Sequence, residues 1–574
     1  MWCDEFLDRT SRLLVAGAVV VGVALRLYQI TGQILVSDEW HSLHAVAQTP
    51  VRELLSLVTI GASSIPVNLY YRLLLDTVGW SELWLRLPSL IAGVSSLVIL
   101  PLLARRFLRP RANVLFAYLI AVSPFLIFYS RYCRPYSLVM LLTFVALVAC
   151  WAWARSGRVR DAVVFAASGT MAAYVHVPEL RSFLAPLLVL VALKLFPRSR
   201  ALVRPSLGAL LLVGLVPTLL VALLLLPGFF DPAQFLTAIV GRSQPEMATL
   251  LGVGELLAGT ANPVARIVFA GLAALGFVLL ARRDRLLGAL VAAAITAGVA
   301  MMVLVGPLDA EIPITFTRYV IASVPLVLMA VATGIDGALA FLESRSSFSK
   351  ATARVASGCL AAAGLAALVW LGPLPRTYLH RNDFTNHKAF QASYGRFESN
   401  PYTLGFRRLA ADMDARGEVV APVFYDRLAE DAACESIIEY PLFVGDLNSP
   451  YFLYQARHDK RVLGGYFHAP GSQPATIRRG VVPATWIVDE VLAEVQDPAK
   501  LRFRNLVDLG DAAAVRESGA CYLIVHTNPP SEFAGESRAD RPMPAPAIDL
   551  GGRFGRPIFA DAWTTVFDLR RPAD

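Results

Sequence analysis

Asp38 and Glu39 stand side by side in Val36-Ser37-Asp38-Glu39-Trp40-His41, just beyond the first long apolar stretch of the chain. A carboxylate there can take a proton from a hydroxyl or ligate a metal. Burying a charge in hydrocarbon is costly, so acids at such a boundary either end a helix in water or do chemistry. His41 and His44 are three apart and would share one helical face. With Asp38 or Glu39 they are candidate metal ligands, Glu39 and His41 first, for a divalent ion such as Mg, Mn or Zn. Hydrogen bonding among the same groups is the alternative reading. The Trp40 ring anchors the segment at an interface.

A second set of candidates is basic. Arg131 and Arg134 lie in Phe128-Tyr129-Ser130-Arg131-Tyr132-Cys133-Arg134-Pro135-Tyr136, and Arg318 in Thr317-Arg318-Tyr319. Arg242 falls in the long outer loop Pro227–Asn262, and Arg26, Arg86 and Arg181 near other outer segment ends. A guanidinium makes paired, charge-assisted hydrogen bonds to phosphate. Arg134, Arg318 and Arg131, with the flanking Tyr136 and Tyr319, are therefore candidates for a phosphate site. Snorkelling of Arg toward head groups and an interfacial aromatic belt are the blander readings.

The elements that must position these groups are membrane spans. The 574 residues are 56% hydrophobic and only 17% charged, too apolar for an ordinary soluble chain. Apolar runs read as spans fall at 13–30, 87–103, 113–128, 137–153, 163–177, 183–193, 207–226, 264–280, 286–305, 319–342 and 355–371, of which 183–193, after Pro178, is short for a bilayer. The fold class expected is a polytopic α-helical membrane protein of about 11 spans. Segments 44–60 and 66–75 read as amphipathic helices lying on the interface. Every second loop is basic: Arg105 to Arg111, Arg155 to Arg160, Lys194 to Arg204, Arg282 to Arg285, and Arg345 to Arg354. By the positive-inside bias those loops and the N-terminus are cytoplasmic, while Asp38, Glu39 and the residues after Pro373 lie outside.

The domain boundary expected is 1–373 for the membrane part and 374–574 for a soluble α/β domain. In the latter, strand-like runs at 419–425, 437–440, 522–526 and 563–569 alternate with helical stretches at 401–415 and 483–495, and 528–546 reads as a loop. Cys133, Cys434 and Cys521 fall on the outer side, and a Cys434–Cys521 disulfide is one pairing open to them. The net charge of +8 is scattered in short patches, which argues against nucleic acid as a partner. No Walker loop, nucleophile elbow or zinc spacing is present, and no nucleotide site is visible.

Four stretches in order then carry a resemblance. They are Leu25-Arg26-Leu27-Tyr28 with Ser37-Asp38-Glu39-Trp40, then Pro66-Val67-Asn68-Leu69-Tyr70-Tyr71. Gly79-Trp80-Ser81-Glu82-Leu83-Trp84-Leu85-Arg86-Leu87-Pro88-Ser89-Leu90-Ile91-Ala92-Gly93 follows, and then Ser123-Pro124 with Tyr129-Ser130 through Arg134-Pro135-Tyr136-Ser137. Together they resemble the polyprenol-phosphate-sugar glycosyltransferases of the GT-C superfamily, in particular the protein mannosyltransferase and aminoarabinose transferase (ArnT) group. The likeness covers the first 140 residues and resumes from Thr317 to Pro325. It departs where the family carries His-Pro-Pro and this chain reads Ser64-Ile65-Pro66, and where Arg131-Tyr132 replaces Gln-Glu.

The resemblance implies an inverting glycosyltransferase at the outer face of the cytoplasmic membrane. Its donor would be a sugar on a polyprenyl (decaprenyl or undecaprenyl) phosphate, and its acceptor a hydroxyl of a lipid or glycan. Asp38 would be the general base, Glu39 would orient the acceptor, bind a metal or stabilise charge, and Arg134 and Arg318 would meet the leaving phosphate. Asn68, Tyr70, Tyr71, Arg86 and His41 would line the substrate pocket. The competing readings are a transporter or flippase of a lipid-linked sugar or other anion, and a membrane-anchored binding protein acting through its tail. The odd span count and the lack of inverted halves speak against the transporter.

Overall fold

A computed structural model of the chain describes residues 2–28, 30, 39, 43, 46, 50–55, 64–78, 82–226, 244–307, 310–375, 423–440, 458, 460–462, 509, 512–526, 549–561 and 564–571. Asp38, His41, His44, Arg242, most of segment 44–60, and the stretches expected at 401–415, 483–495 and 528–546 lie outside them. The chain divides into two units, one of residues 1–28, 55–67 and 86–379, the other of 29–54, 68–85 and 380–574.

The helices run in chain order α1 (Trp2–Leu27), α2 (Val51–Leu54), α3 (Ile65–Asp76), α4 (Glu82–Ala104), α5 (Pro110–Val122), α6 (Pro124–Ser130), α7 (Tyr136–Ser156), α8 (Val159–Val175) and α9 (Leu180–Leu195). They continue as α10 (Leu207–Leu225), α11 (Met247–Ala258), α12 (Pro263–Arg283), α13 (Arg285–Val305), α14 (Pro313–Tyr319), α15 (Val324–Arg345) and α16 (Lys350–Trp370). Among the described residues, eight helices are long and apolar enough to cross a membrane: α1, α4, α7, α10, α12, α13, α15 and α16. The pair α5–α6, bent by 58°, makes a ninth if counted as one span. α8 and α9 coincide with the other two expected spans but are only 17 and 16 residues long.

The 113–128 run was expected to be one span, and the structure breaks it. The Ser123 hydroxyl accepts from the Leu126 N–H, and Pro124 has no N–H to continue the helix behind it. Likewise the run expected from 319 is interrupted. Arg318 and Tyr319 end the short α14, a 3₁₀ turn Ile321–Ser323 follows, and α15 starts afresh with Pro325 in its first turn.

Small residues let the helices approach closely. A Cβ on Gly276 of α12 would lie 1.7 Å from the Ala330 carbonyl oxygen of α15, and one on Gly334 would lie 2.0 Å from that of Leu272. Toward the basic-loop end, Arg111 Nε donates to Asp336 at 2.6 Å and its Nη1 also reaches Glu343, tying α5 to α15. Arg155 and Trp151 of α7 donate to Asp284, between α12 and α13, at 2.7 and 2.9 Å. Burial raises the Asp284 carboxyl, but hydrogen bonds from the Leu287 N–H, Arg155 and Trp151 outweigh it and hold the group below its ordinary value.

Among its described residues the second unit carries a five-stranded mixed sheet. Its strands are β1 (Ser436–Tyr440), β2 (Arg461–Val462), β3 (Tyr522–His526), β4 (Phe559–Ala560) and β5 (Thr564–Asp568), in the order β2-β1-β3-β5-β4. β1 pairs parallel with β2 and β3, while β5 pairs antiparallel with β3 and β4. Three expected strand runs are strands. The fourth, 419–425, is not one in its described part, because Phe424–Glu430 forms a helix, α17. Phe424, Tyr425 and Leu428 bury one helical face there, a spacing that fits period 3.6 rather than 2. Cys434 and Cys521 are joined by a disulfide, their Cα atoms 5.6 Å apart.

Two groups of polar side chains in this unit are tied together. Tyr425 donates to Glu439 at 2.8 Å, and His526 Nε2 lies 2.7 Å from the same carboxylate. Tyr522 donates to Asp431; burial and that carboxylate push the phenol up to about 12. In the same unit Glu39 is helical and fully buried, Asn68 and Tyr71 are buried, and Tyr70 donates to the Trp84 carbonyl at 2.6 Å.

Candidate functional site

The first unit gathers cationic and aromatic side chains where α6, α7, α9 and α14 begin or end. The sequence between α6 and α7 is Arg131-Tyr132-Cys133-Arg134-Pro135. All five positions are buried, so these two arginines do not reach into water. One arm of Arg131 donates to the carbonyls of Leu25, Arg26 and Tyr28 at 3.1, 3.0 and 2.7 Å. The first two carbonyls belong to the last turn of α1 and the third to the residue just past it, where acceptors have no partner further along the helix. Arg131, expected among the phosphate ligands, therefore also braces α1. Arg26 answers from the other side, with Nε to Ser130 Oγ at 3.0 Å and Nη groups to the Gly22, Ile120 and Ala121 carbonyls.

Arg134 is placed by α4. Ser89 Oγ donates to the Arg134 carbonyl, one turn before Gly93 meets Ser130. A Cβ on Gly93 would fall 2.1 Å from Ser130 Oγ and 2.4 Å from its Cβ, so α4 and α6 touch only because that position is glycine. Arg86, on the same helix, is fully buried.

A run of ring contacts leads from α6 to α14. Tyr129 meets Tyr136 edge-on at 5.0 Å, Tyr136 meets His176 at 5.7 Å, and His176 meets Tyr319 at 5.7 Å. The Arg318 guanidinium lies 5.8 Å from the Tyr319 ring centre. His176, in the bend after α8, is 3% exposed and lies within electrostatic range of Arg181, Arg134 and Arg318. Beside it Arg181 is paired with the fully buried Glu179 at 3.0 Å, and Ser182 also donates to that carboxylate.

Four of the sequence candidates, Arg134, Tyr136, Arg318 and Tyr319, thus surround one imidazole. Sequence reasoning did not select His176; it named Arg181 as one of the outer arginines and Glu179 as one of the loop acids able to partner such an arginine, and the structure pairs the two. The signal available was His176-Val177-Pro178-Glu179-Leu180-Arg181, three polar side chains packed into an apolar region. Glu39, Asn68, Tyr70 and Tyr71 belong to the other unit, and Asp38 and His41 lie outside the described residues. Among the described residues, no group of three or more His, Cys, Asp and Glu is arranged to hold a metal.

Such a cluster suits an anion. Guanidinium groups are donors only, the imidazole adds a donor and an acceptor, and phosphate oxygens accept.

No protein-family model and no curated protein matches the sequence. Solved structures do. The chain is similar to ArnT from Cupriavidus metallidurans in the apo state, with TM-score 0.50, 13% identity and 97% of each chain covered. It is also similar to ArnT bound to undecaprenyl phosphate, with TM-score 0.48, 14% identity and the same coverage. A third is the archaeal oligosaccharyltransferase AglB from Archaeoglobus fulgidus with an inhibitory peptide and a dolichol-phosphate, with TM-score 0.43, 12% identity, and 92% of this chain and 70% of that one covered. The chain has the fold of ArnT, a multi-pass helical membrane fold with a small C-terminal sheet, which is the GT-C fold the sequence resemblance implies.

Proposed function

We propose that the protein is an inverting glycosyltransferase. It takes a sugar from a polyprenyl phosphate and passes it to a hydroxyl of a lipid or glycan at the outer face of the cytoplasmic membrane. The observation that carries this reading is the convergence of Arg134, Arg318, Tyr136 and Tyr319 on His176. An ArnT-like fold supplies the membrane setting for a lipid-borne donor.

In this account Asp38 accepts the proton of the acceptor hydroxyl as its oxygen attacks the anomeric carbon. The bond from that carbon to the phosphate oxygen breaks on the opposite face, and its electron pair stays with the phosphate. Arg134 and Arg318 meet the charge that grows there, with Tyr136 and Tyr319 shaping the pocket. Glu39, held in a fully buried helical position, orients the acceptor. Asn68, Tyr70, Tyr71 and Arg86 serve the substrate pocket, and Arg131 braces the end of α1. Because charge appears mainly as the bond breaks, the arginines stabilise the transition state more than bound donor.

The test is transfer by the purified chain reconstituted in vesicles, supplied with a panel of polyprenyl-phosphate sugars and radiolabelled in the sugar. Arg134→Gln and Arg318→Gln each lower kcat more than they raise KM. Movement of intact donor across the bilayer with no new glycosidic bond would instead identify a transporter.

A further inference from the structure

We propose that His176 is a ligand of the donor's phosphate, placing its imidazole on a phosphate oxygen between Arg134 and Arg318. The inference rests on the glycosyltransferase reading above and adds to it a residue that neither the four sequence stretches nor the arginine pattern contained.

His176 is 3% exposed, and its Nδ1 is buried with no hydrogen-bond partner among the described residues. That is unusual, since buried polar side chains in folded proteins nearly all have partners. A histidine kept for packing would be tied to a carbonyl or carboxylate. Here its ring is instead flanked by Tyr136 and Tyr319, both 5.7 Å away, with Arg181, Arg134 and Arg318 as the nearby charges. Arg181 is paired with Glu179. A guanidinium has no acceptor, so these arginines cannot receive an imidazole N–H. An anion with several oxygens can receive it while also receiving the guanidinium N–H groups. A lipid phosphate meets that requirement, and the two tyrosine rings hold the imidazole edge toward it.

The test is titration of the full-length protein in detergent with undecaprenyl monophosphate, with undecaprenol as the uncharged control. The wild type binds the monophosphate saturably and undecaprenol weakly. H176F binds the monophosphate at least about tenfold more weakly, the worth of one hydrogen bond to a charged group, and H176Q, which keeps a donor, lies between. A second readout needs no change of packing. In protein labelled with ¹⁵N-histidine, the imidazole resonance missing from H176Q shifts when the monophosphate is added, and not when undecaprenol is. Equal affinities for wild type and H176F, or an unmoved His176 resonance at saturating monophosphate, would overturn the proposal and leave the transferase reading standing. If the wild type itself ignores the monophosphate, the lipid-phosphate donor falls, and this inference with it.

Discussion

The Arg181 guanidinium donates to the backbone carbonyl of Tyr319. It also bonds Glu179 at 3.0 Å, the Pro178 carbonyl at 2.6 Å and the Met301 sulfur at 2.9 Å. One side chain thus ties the first turn of α9 to the end of α14 and to α13. Arg318 precedes Tyr319, so its backbone is placed by the same bond.

Arg181→Met leaves Glu179 buried without its partner, at a cost of about 3–5 kcal/mol in stability. The double variant Arg181→Met with Glu179→Gln removes both charges and regains most of that stability. Transfer stays low in both, because Tyr319 and Arg318 are no longer held. Thermal unfolding and turnover measured on the same preparations separate the two effects. Full turnover in the double variant would show that the clamp does not position Arg318.

Gly93→Ala places a methyl group 2.1 Å from Ser130 Oγ and 3.1 Å from the Ser130 Cα. Overpacking of this kind costs about 1–3 kcal/mol. Since the nearest atoms are the Ser130 side chain, Ser130→Gly added to Gly93→Ala recovers part of the loss. Unfolding temperatures of the single and double variants in one detergent check this.

Much of this arrangement is legible in the sequence where short motifs carry packing. Pro88-Ser89-Leu90-Ile91-Ala92-Gly93 marks the helix face that fixes the Arg134 carbonyl and admits Ser130. Arg134 with Tyr136 and Arg318 with Tyr319 were selected because charge at those segment ends needs a partner, and they meet across His176. Hydropathy located the eight helices that are long and apolar enough to span among the described residues, yet it counts apolar residues and is blind to breaks. It joined α5 to α6 across Ser123-Pro124 and ran α15 back to Tyr319. A lone histidine at a span end has no pattern of its own, so His176 became visible only when three distant segments met. The helix at Phe424 was hidden because Val419-Val420 ahead of Pro422 suggests a strand.

Cys434→Ser opens a loop of 87 residues in sequence separation. Loss of a disulfide closing a loop of that size costs about 2–5 kcal/mol. Hydrogen exchange at β1 and β3 amides of the full-length protein accelerates in the variant, and in wild type under reductant. Exchange in α7 and α15 does not change.

Acid weakens the sheet-bearing unit in two windows. His458 is buried and stacked on Tyr425 at 5.1 Å; burial, and then Lys460, lower it from 6.5 to about 3. The unfolded chain therefore takes up a proton that the folded one refuses. Its contribution is complete above about pH 6.5 and is lost as pH falls toward 3. Asp431, lowered from 3.8 chiefly by the Tyr522 hydrogen bond, acts in the same direction but only below that value. Protection of β1 and β3 amides in wild type thus declines between pH 6.5 and 4.5. His458→Phe flattens that decline and leaves the drop below pH 3.8 in place.

Asp38→Asn tests the central claim most directly, because it keeps the shape of the side chain and removes only its capacity to accept a proton. The measurement is sugar transfer from labelled polyprenyl-phosphate donor in vesicles holding equal amounts of wild type and variant, with membrane insertion checked in both. The account predicts a loss of about 10²–10⁴-fold in kcat with donor binding retained. Wild-type transfer by the Asn variant would contradict it.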